Sequence, residues 1–384
     1  MKRWVKVALG GLAGVVVLTG LWLWDEPLQP QAQQWLSHDG SGESQAFLQL
    51  LGMAAPAGVD VRDYARQLLQ RHRQFGLNDA MPEGSQSLAL PELCRLGEGR
   101  CLARLQTRPE QIGRWLEEHA ELRRRYLELL PLSDYRSLTS PGPDEPLPAF
   151  MVLERANRLL ALEALQLASQ GQAQQAMNLL TDKLAHLRRW LAQSDRLVMK
   201  MVLVSLISHD LESLAALYQA GLIGRPPTLA PLSAEELSML VPLRHEFAAV
   251  AEGLRALPVG LADEVGWQMF WLFKPNMSVN DLLPRYQAAL QWPAVTDELP
   301  TGPDFWRRLR NPIGSILVSV ASPDLSRYVA RVHDLDRKIE LFNQLGRSRP
   351  QSARWDEVRR AYCADGPLED PRGLRCLPWP VPAQ

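Results

Sequence analysis

The sequence predicts an all-α protein: one N-terminal transmembrane helix followed by an elongated helical-hairpin (solenoid-like) body. Three observations carry that expectation. An uncharged apolar run of eighteen residues, Val7 to Trp24, lies near the start of the chain. Helix start and stop signals recur along the rest, without a sustained period-two run bounded by turn residues. Two long amphipathic segments also meet at Gly171, as in a helical hairpin.

Residues 1–6 form a short stub carrying Lys2, Arg3 and Lys6, and 7–24 are the expected anchor. About 17–25 apolar residues cross a bilayer, so the run is long enough. The basic flank is retained in the cytoplasm, which sends the remaining chain outward. Trp4, Trp22 and Trp24 stand where interfacial rings belong. The competing reading is a cleaved signal peptide. It is disfavoured because the one plausible small-x-small site, Leu18-Thr19-Gly20, has a large −3 residue and would split the run. The expected localisation is therefore a single-pass inner-membrane protein, N-terminus cytoplasmic and body periplasmic.

Residues 25–130 read as an N-terminal helical region. Asp60 can cap a helix that stops at Gly76. Thr107 and Glu110 have capping-box spacing for a helix running to Leu130, with Trp115, Leu122, Tyr126 and Leu129 as its apolar stripe. Five prolines between Pro131 and Pro148 mark 131–148 as a linker. Residues 149–362 are the expected main helical domain. Ala149 to Gln170 and Gln172 to Gln193 flank Gly171, and Ser194-Asp195 opens a third helix ending near Gly221. Ser233 with Glu236 opens a helix to about Ala256, and Ser278 with Asp281 a shorter one. Asn311-Pro312 precedes the apolar IGSILVSVA, and Ser322-Pro323 a long helix closed by Gly346. A last helix is expected around Trp355 to Tyr362, leading into a stapled tail, 363–384.

The four cysteines form two local pairs by proximity, Cys94 with Cys101 and Cys363 with Cys376, across loops rich in turn residues. Zinc knuckles need closer spacing, and an exported chain with an even cysteine count keeps disulfides. A net charge of −1 offers no electrostatic basis for a nucleic-acid partner. Hydrophobic residues at 46% against 22% charged are enough to build a core.

No catalytic motif is present. The histidines (38, 72, 119, 186, 209, 245 and 333) form no H-E-x-x-H, and there is no G-x-S-x-G elbow, P-loop or Ser-x-x-Lys. No cofactor or metal is expected. The most informative polar residues lie in RLVMKMVLVSLISHDL, 196–211. This helix lacks a clear polar face, so its charges face neighbouring elements. Arg196 and Lys200, four apart, could hold an anionic group; the plainer reading is a buried ammonium paired with a neighbour. His209 and Asp210 could orient a proton transfer, or simply mark later, more exposed turns. The aromatic run Gly266 to Lys274 suits either an aromatic core or a membrane interface.

The hairpin around Gly171 resembles a tetratricopeptide repeat at Ala164, Gly171, Ala176 and Leu180, with Lys183 and Arg188 departing from that pattern. No second copy follows at about 34 residues. The order of landmarks (the anchor, the cysteine pair, KPNMSVNDLLPRY, NPIGSILVSV, SRYVARVHDLDRKIELFNQL) resembles single-pass membrane-anchored periplasmic helical proteins of Gram-negative bacteria. That resemblance implies a periplasmic body and transfers no site residues.

The functional expectation is a tethered interaction or scaffold module of the cell envelope. It would touch lipid through 7–24 and a protein or peptide through its body, with no nucleic acid. The alternative is an envelope enzyme or ligand-binding protein with a polar site near Lys200 and His209.

Overall fold

The computed structural model describes residues 2–37, 42–75, 93–98, 100–142, 144–260, 271–292, 303–320, 324–366 and 368–379. These residues are mostly helical, with a small sheet towards the C-terminus. They form two compact units that interleave along the chain. One comprises Met1–Asp39, Pro141–Pro143 and Leu243–Ser326, the other Gly40–Ser140, Asp144–Pro242 and Arg327–Gln384. Segments distant in sequence supply the helices of each unit.

The larger unit begins with α3 (Gln45–Leu51) and α4 (Val61–Phe75); α1 (Lys2–Leu23) and α2 (Pro30–Leu36) belong to the other unit. Ser44 caps α3 by accepting the Phe47 N–H at 3.0 Å, and Asp60 accepts the N–H groups of Arg62 and Asp63 ahead of α4. The expected single helix after Thr107 is instead two, α6 (Pro109–Glu118) and α7 (Ala120–Leu129), preceded by α5 (Cys101–Gln106). The Thr107 hydroxyl donates back to the Arg104 carbonyl at 2.8 Å, so it closes α5 rather than capping α6. The chain then breaks at His119 (φ −115°, ψ 24°). This break lets Ile112 of α6 and Leu122, Tyr126 and Leu129 of α7 all turn inward, both helices packing against α8 (Phe150–Ser169).

The proline-rich stretch 131–148 is not a free linker where the larger unit contains it. Tyr135, Ser137 and Thr139 are buried. Asp195 accepts both the N–H and the hydroxyl of Ser137 at 2.7 and 2.8 Å. The Trp190 indole donates to the Leu132 carbonyl at 2.7 Å, and its ring stacks on Tyr135. Prolines exclude helix but leave carbonyls free to accept, which is how a coil segment satisfies its polar groups against a neighbour.

The centre of this unit is α8, α9 (Ala173–Gln193) and α10 (Leu197–Gln219), each packed on the other two. Gly171 supplies the positive φ, 80°, needed between α8 and α9. Ala164, Ala176 and Leu180 are fully buried, so the small residues of the hairpin let its helices approach closely. Among the described residues, α10 is the helix that is long and apolar enough to cross a membrane, yet it is mostly buried by protein. It is the core helix of its unit.

Ser233 and Glu236 form the expected capping box, but α11 (Ala234–Leu237) is a single turn, and the chain restarts as α12 (Leu240–Gly260). Pro242 explains the break. Its ring would clash with the Ser238 carbonyl of a continuous helix, and Ser238 is extended (ψ 127°).

Near the C-terminus, β1 (Ala353–Asp356), β2 (Ala361–Ala364) and β3 (Cys376–Pro378) make an antiparallel sheet where a helix was expected over Trp355 to Tyr362. Arg360 adopts φ 51°, a turn conformation that ends any helix there. Trp355 and Tyr362 face each other across the ladder, and the Tyr362 ring meets Trp379 edge-on. Cys363 and Cys376 are directly opposed and joined, and Cys94 is joined to Cys101; the described residues include no free cysteine. Both local pairs are those expected.

The smaller unit holds α1 (Lys2–Leu23), α2 (Pro30–Leu36) and α13 (Pro275–Leu290), followed by α14 (Phe305–Arg310) and α15 (Pro312–Val320). Its core is aromatic: Trp35, Phe247 and Tyr286 meet edge-to-face with centroids 5.5–6.5 Å apart. The Ser278–Asp281 cap is not formed. Here α13 starts earlier, its first turn capped by Asp25, whose carboxylate accepts the Asn276 and Met277 N–H groups at 2.8 and 3.1 Å. Ser278 sits inside the helix, donating to the Lys274 carbonyl. Asn311 caps α15 through Gly314 N–H, as expected. The expected start at Ser322-Pro323 lies outside the described residues; from Ser326 the chain is helical as α16 (Ser326–Phe342), and Gly346 takes φ 90° beyond its end.

Candidate functional site

The four polar residues singled out in the sequence lie at the N-cap of α10 (Arg196) and along it (Lys200, His209 and Asp210), and the structure does not bring them together. Arg196 precedes its first turn. The guanidinium is buried, donates to the Pro146 carbonyl at 3.1 Å and to Thr139 and Glu145, and lies 5.3 Å over the Phe47 ring. Lys200, one turn later, is equally buried and donates to the Leu191 carbonyl at 2.7 Å. The two cations therefore face different partners and build no shared anion site. At 1.5 Å of rise per residue, His209 and Asp210 lie about 15 Å further along the axis from Lys200.

His209 and Asp210 line a small cleft of about 280 Å³, solvent at its mouth included, with Arg95, Asn157, Arg158 and Ser213 among its walls. Behind it runs a buried network. Asp210 Oδ1 accepts from Lys183 Nζ at 2.8 Å and from Asn157 Nδ2 at 3.1 Å; Asn157 accepts in turn from the Tyr126 hydroxyl at 2.8 Å. Lys183 also donates to the Asn157 carbonyl. Burial pushes the Asp210 carboxyl up and the Lys183 ammonium down, and each is the principal charge that compensates the other. A second buried cation, Lys338, reaches α10 from α16 and donates to Ser208 at 2.8 Å and to Glu212.

His209 is pushed down to about 2, first by burial and then by the surrounding charges of Arg95, Lys338, Arg158 and Lys183. Held neutral, the imidazole can give or take a hydrogen bond without carrying charge. Its Nε2 lies 3.4 Å from the Ser205 hydroxyl, and its Nδ1 and Asp210 Oδ2 have no hydrogen-bond partner among the described residues. Of the rim arginines, Arg158 holds the Leu93 carbonyl at 2.5 Å and Glu154 at 2.6 Å, fastening the disulfide loop, and Arg95 lies 3.8 Å from Glu154. Chemically, the cleft offers a neutral imidazole and one carboxylate oxygen to a water or a small polar group. Among the described residues no three of His, Cys, Asp and Glu cluster as metal ligands.

Sequence reasoning missed Lys183, Asn157, Glu212 and Lys338. A signal existed for the first: Lys183 is one of the two departures from the repeat pattern, and the other, Arg188, makes a double ion pair with Glu236 at 2.6 and 2.7 Å. Of the aromatic run, 266–270 lie outside the described residues; Trp271 and Leu272 are exposed, and Phe273 and Lys274 buried.

Lys200 provides a direct test of a structural role. Burial pushes its ammonium down to about 8, opposed by the charge of Glu236. An unfolded lysine keeps its proton to about pH 10.4. Between those values the unfolded chain binds more protons than the folded one, so stability rises with pH through that window. Lys200→Met is expected to remove this rise in urea titrations at pH 8 and 10, and to be neutral or stabilising at pH 7. A variant that is markedly less stable at pH 7 contradicts this account.

No protein family, curated protein or solved structure matches the chain.

Proposed function

We propose that the chain is a single-pass membrane-tethered protein of the cell envelope, anchored by 7–24, with a periplasmic helical body that serves as an interaction or scaffold module. The observation that carries this reading is α1. Leu12, Val15, Val16, Val17 and Leu21 are all about 60% exposed, so protein covers none of these large apolar side chains. Large apolar side chains left uncovered along a helix are stabilised by hydrocarbon and not by water. The two disulfides support a body on the oxidising side of the membrane. An interaction role is favoured over the enzyme or ligand-binding alternative because Arg196, Lys200 and His209 do not converge, and the groups around His209 are mostly bonded to one another.

The test uses the full chain in a Gram-negative host. Alkaline phosphatase fused after Gln384 is expected to be active, and a fluorescent protein fused there dark. Non-reducing peptide mapping of the same membranes is expected to return the 94–101 and 363–376 links. An inactive phosphatase with free thiols overturns the placement. A photo-crosslinker at Met151, exposed on the first turn of α8, addresses the interaction role. One discrete, identifiable protein adduct in intact cells supports it. High-affinity small-ligand binding that is lost in His209→Ala would overturn it in favour of the alternative.

A further inference from the structure

The smaller unit carries a second apolar surface, on α14 and α15. Phe305 and Trp306 are each 69% exposed, Ile316 63% and Val320 78%. These residues follow helical geometry. On α15, Ile313, Ile316, Leu317 and Val320 stand at i, i+3, i+4 and i+7, while Gly314 and Val318 on the opposite side are buried against the unit. A surface helix of a water-soluble protein presents its polar side outward. Here the outward side is the apolar one. The segment FWRRLRNPIGSILVSV, 305–320, contains three arginines and no acidic residue.

Contacts within the unit tie this surface to the end of the anchor. Arg310 of α14 donates to the Trp24 carbonyl at 2.9 Å and the Leu21 carbonyl at 3.3 Å, closing the last turn of α1. Immediately beyond it, Glu26 accepts two hydrogen bonds from Arg307 at 2.7 and 3.0 Å and one from Asn280 at 2.7 Å. Asp25 caps α13, which packs against α15. The residue at which α1 ends and the start of this apolar surface are one arginine side chain apart.

From this juxtaposition we infer that α14 and α15 form a membrane-resting foot. Phe305, Trp306, Leu309, Ile316 and Val320 sink into the headgroup–acyl boundary of the bilayer that α1 crosses. The occupant is a phospholipid surface. Aromatic and aliphatic side chains with a flanking cation are the composition of an interfacial helix; Arg307 is held by Glu26 and Asp281 and Arg310 by carbonyls, and the exposed Arg308 favours anionic headgroups. The consequence is a smaller unit held against the membrane at two places, α1 and the foot, rather than at one. The inference rests on the reading of α1 as a membrane anchor, and the test separates the two.

Single nitroxide labels are placed at Leu12→Cys, Ile316→Cys and Val320→Cys in the full chain, reconstituted into phosphatidylethanolamine–phosphatidylglycerol vesicles. All three positions are exposed, so labelling leaves the packed faces intact, and unchanged circular dichroism verifies this. The readout is the logarithm of the collision ratio with oxygen over a water-soluble nickel complex, which is negative in water and positive in lipid. The expected result is positive values at 316 and 320, smaller than that at 12. A positive value at 12 with negative values at 316 and 320 overturns the foot and leaves the anchor standing. A negative value at 12 overturns the anchor reading and the foot with it. Labels at 316 and 320 shielded from both reagents show a protein covering the surface, a second copy included, and equally overturn a lipid occupant.

Discussion

Asp210→Ala is expected to cost the larger unit about 3–5 kcal/mol, the usual penalty for removing one partner of a buried ion pair. Asp210 and Lys183 are both almost wholly inaccessible and 2.8 Å apart. Without the carboxylate, the Lys183 ammonium keeps only the Asn157 carbonyl at 3.2 Å, and the Asn157 amide loses its acceptor. An uncompensated cation then remains in apolar surroundings, together with a cavity where the side chain stood. The pair itself is a different quantity from the cost of breaking it. Replacing both partners with apolar residues of similar volume, Asp210→Leu with Lys183→Met, is expected to recover most of the loss. Urea unfolding of the wild type, Asp210→Leu, Lys183→Met and the double variant closes the cycle. Independent effects of the two single changes, summing to that of the double, mean the charges do not stabilise one another and contradict the account.

How much of this was legible in the sequence depends on the range of the interaction. The disulfides were legible because each is local: Cys94–Cys101 and Cys363–Cys376 close loops whose separations are seven and thirteen residues. The α8–α9 hairpin was legible through Gly171, and the burial of Lys200 through the apolar run that encloses it. Three features were not. The β1–β2 turn uses Arg360 in a positive-φ conformation, and arginine is not a residue that announces a turn. The strands are four residues or fewer, too short for alternation to rise above chance. The interrupted helices at His119 and Ser238 arise from packing and from Pro242, which acts on the residue four positions before it. The candidate site shows the same division. Arg196, Lys200, His209 and Asp210 could be marked one by one, but their partners, Glu145, the Leu191 carbonyl and Lys183, come from other elements, and no spacing rule connects them.

Leu203→Asp tests the claim on which the architecture of the larger unit depends, that α10 is its central helix. Leu203 is completely buried, and Leu206, Ile207, Leu211 and Leu214 are buried within about three turns of it. Around the same helix pack α8, α9 and β3, so no side of Leu203 opens to solvent. The substitution removes a core side chain, which alone costs about 2–5 kcal/mol for a change to alanine. It also adds a carboxylate with no partner nearby, worth several kcal/mol more unless it is protonated. The sum is comparable to the whole stability of a typical domain, about 5–15 kcal/mol. The expected result is loss of the cooperative unfolding transition, with the chain recovered as a protease-sensitive form. Val198→Asp, on the exposed side of the first turn, is the matched control, because Val198 is 39% exposed and its carboxylate would remain hydrated. It is expected to shift stability by about 0.5 kcal/mol or less. Equal melting of Leu203→Asp and Val198→Asp would mean that the position of Leu203 is open to water, and the three-helix centre drawn here would then be wrong.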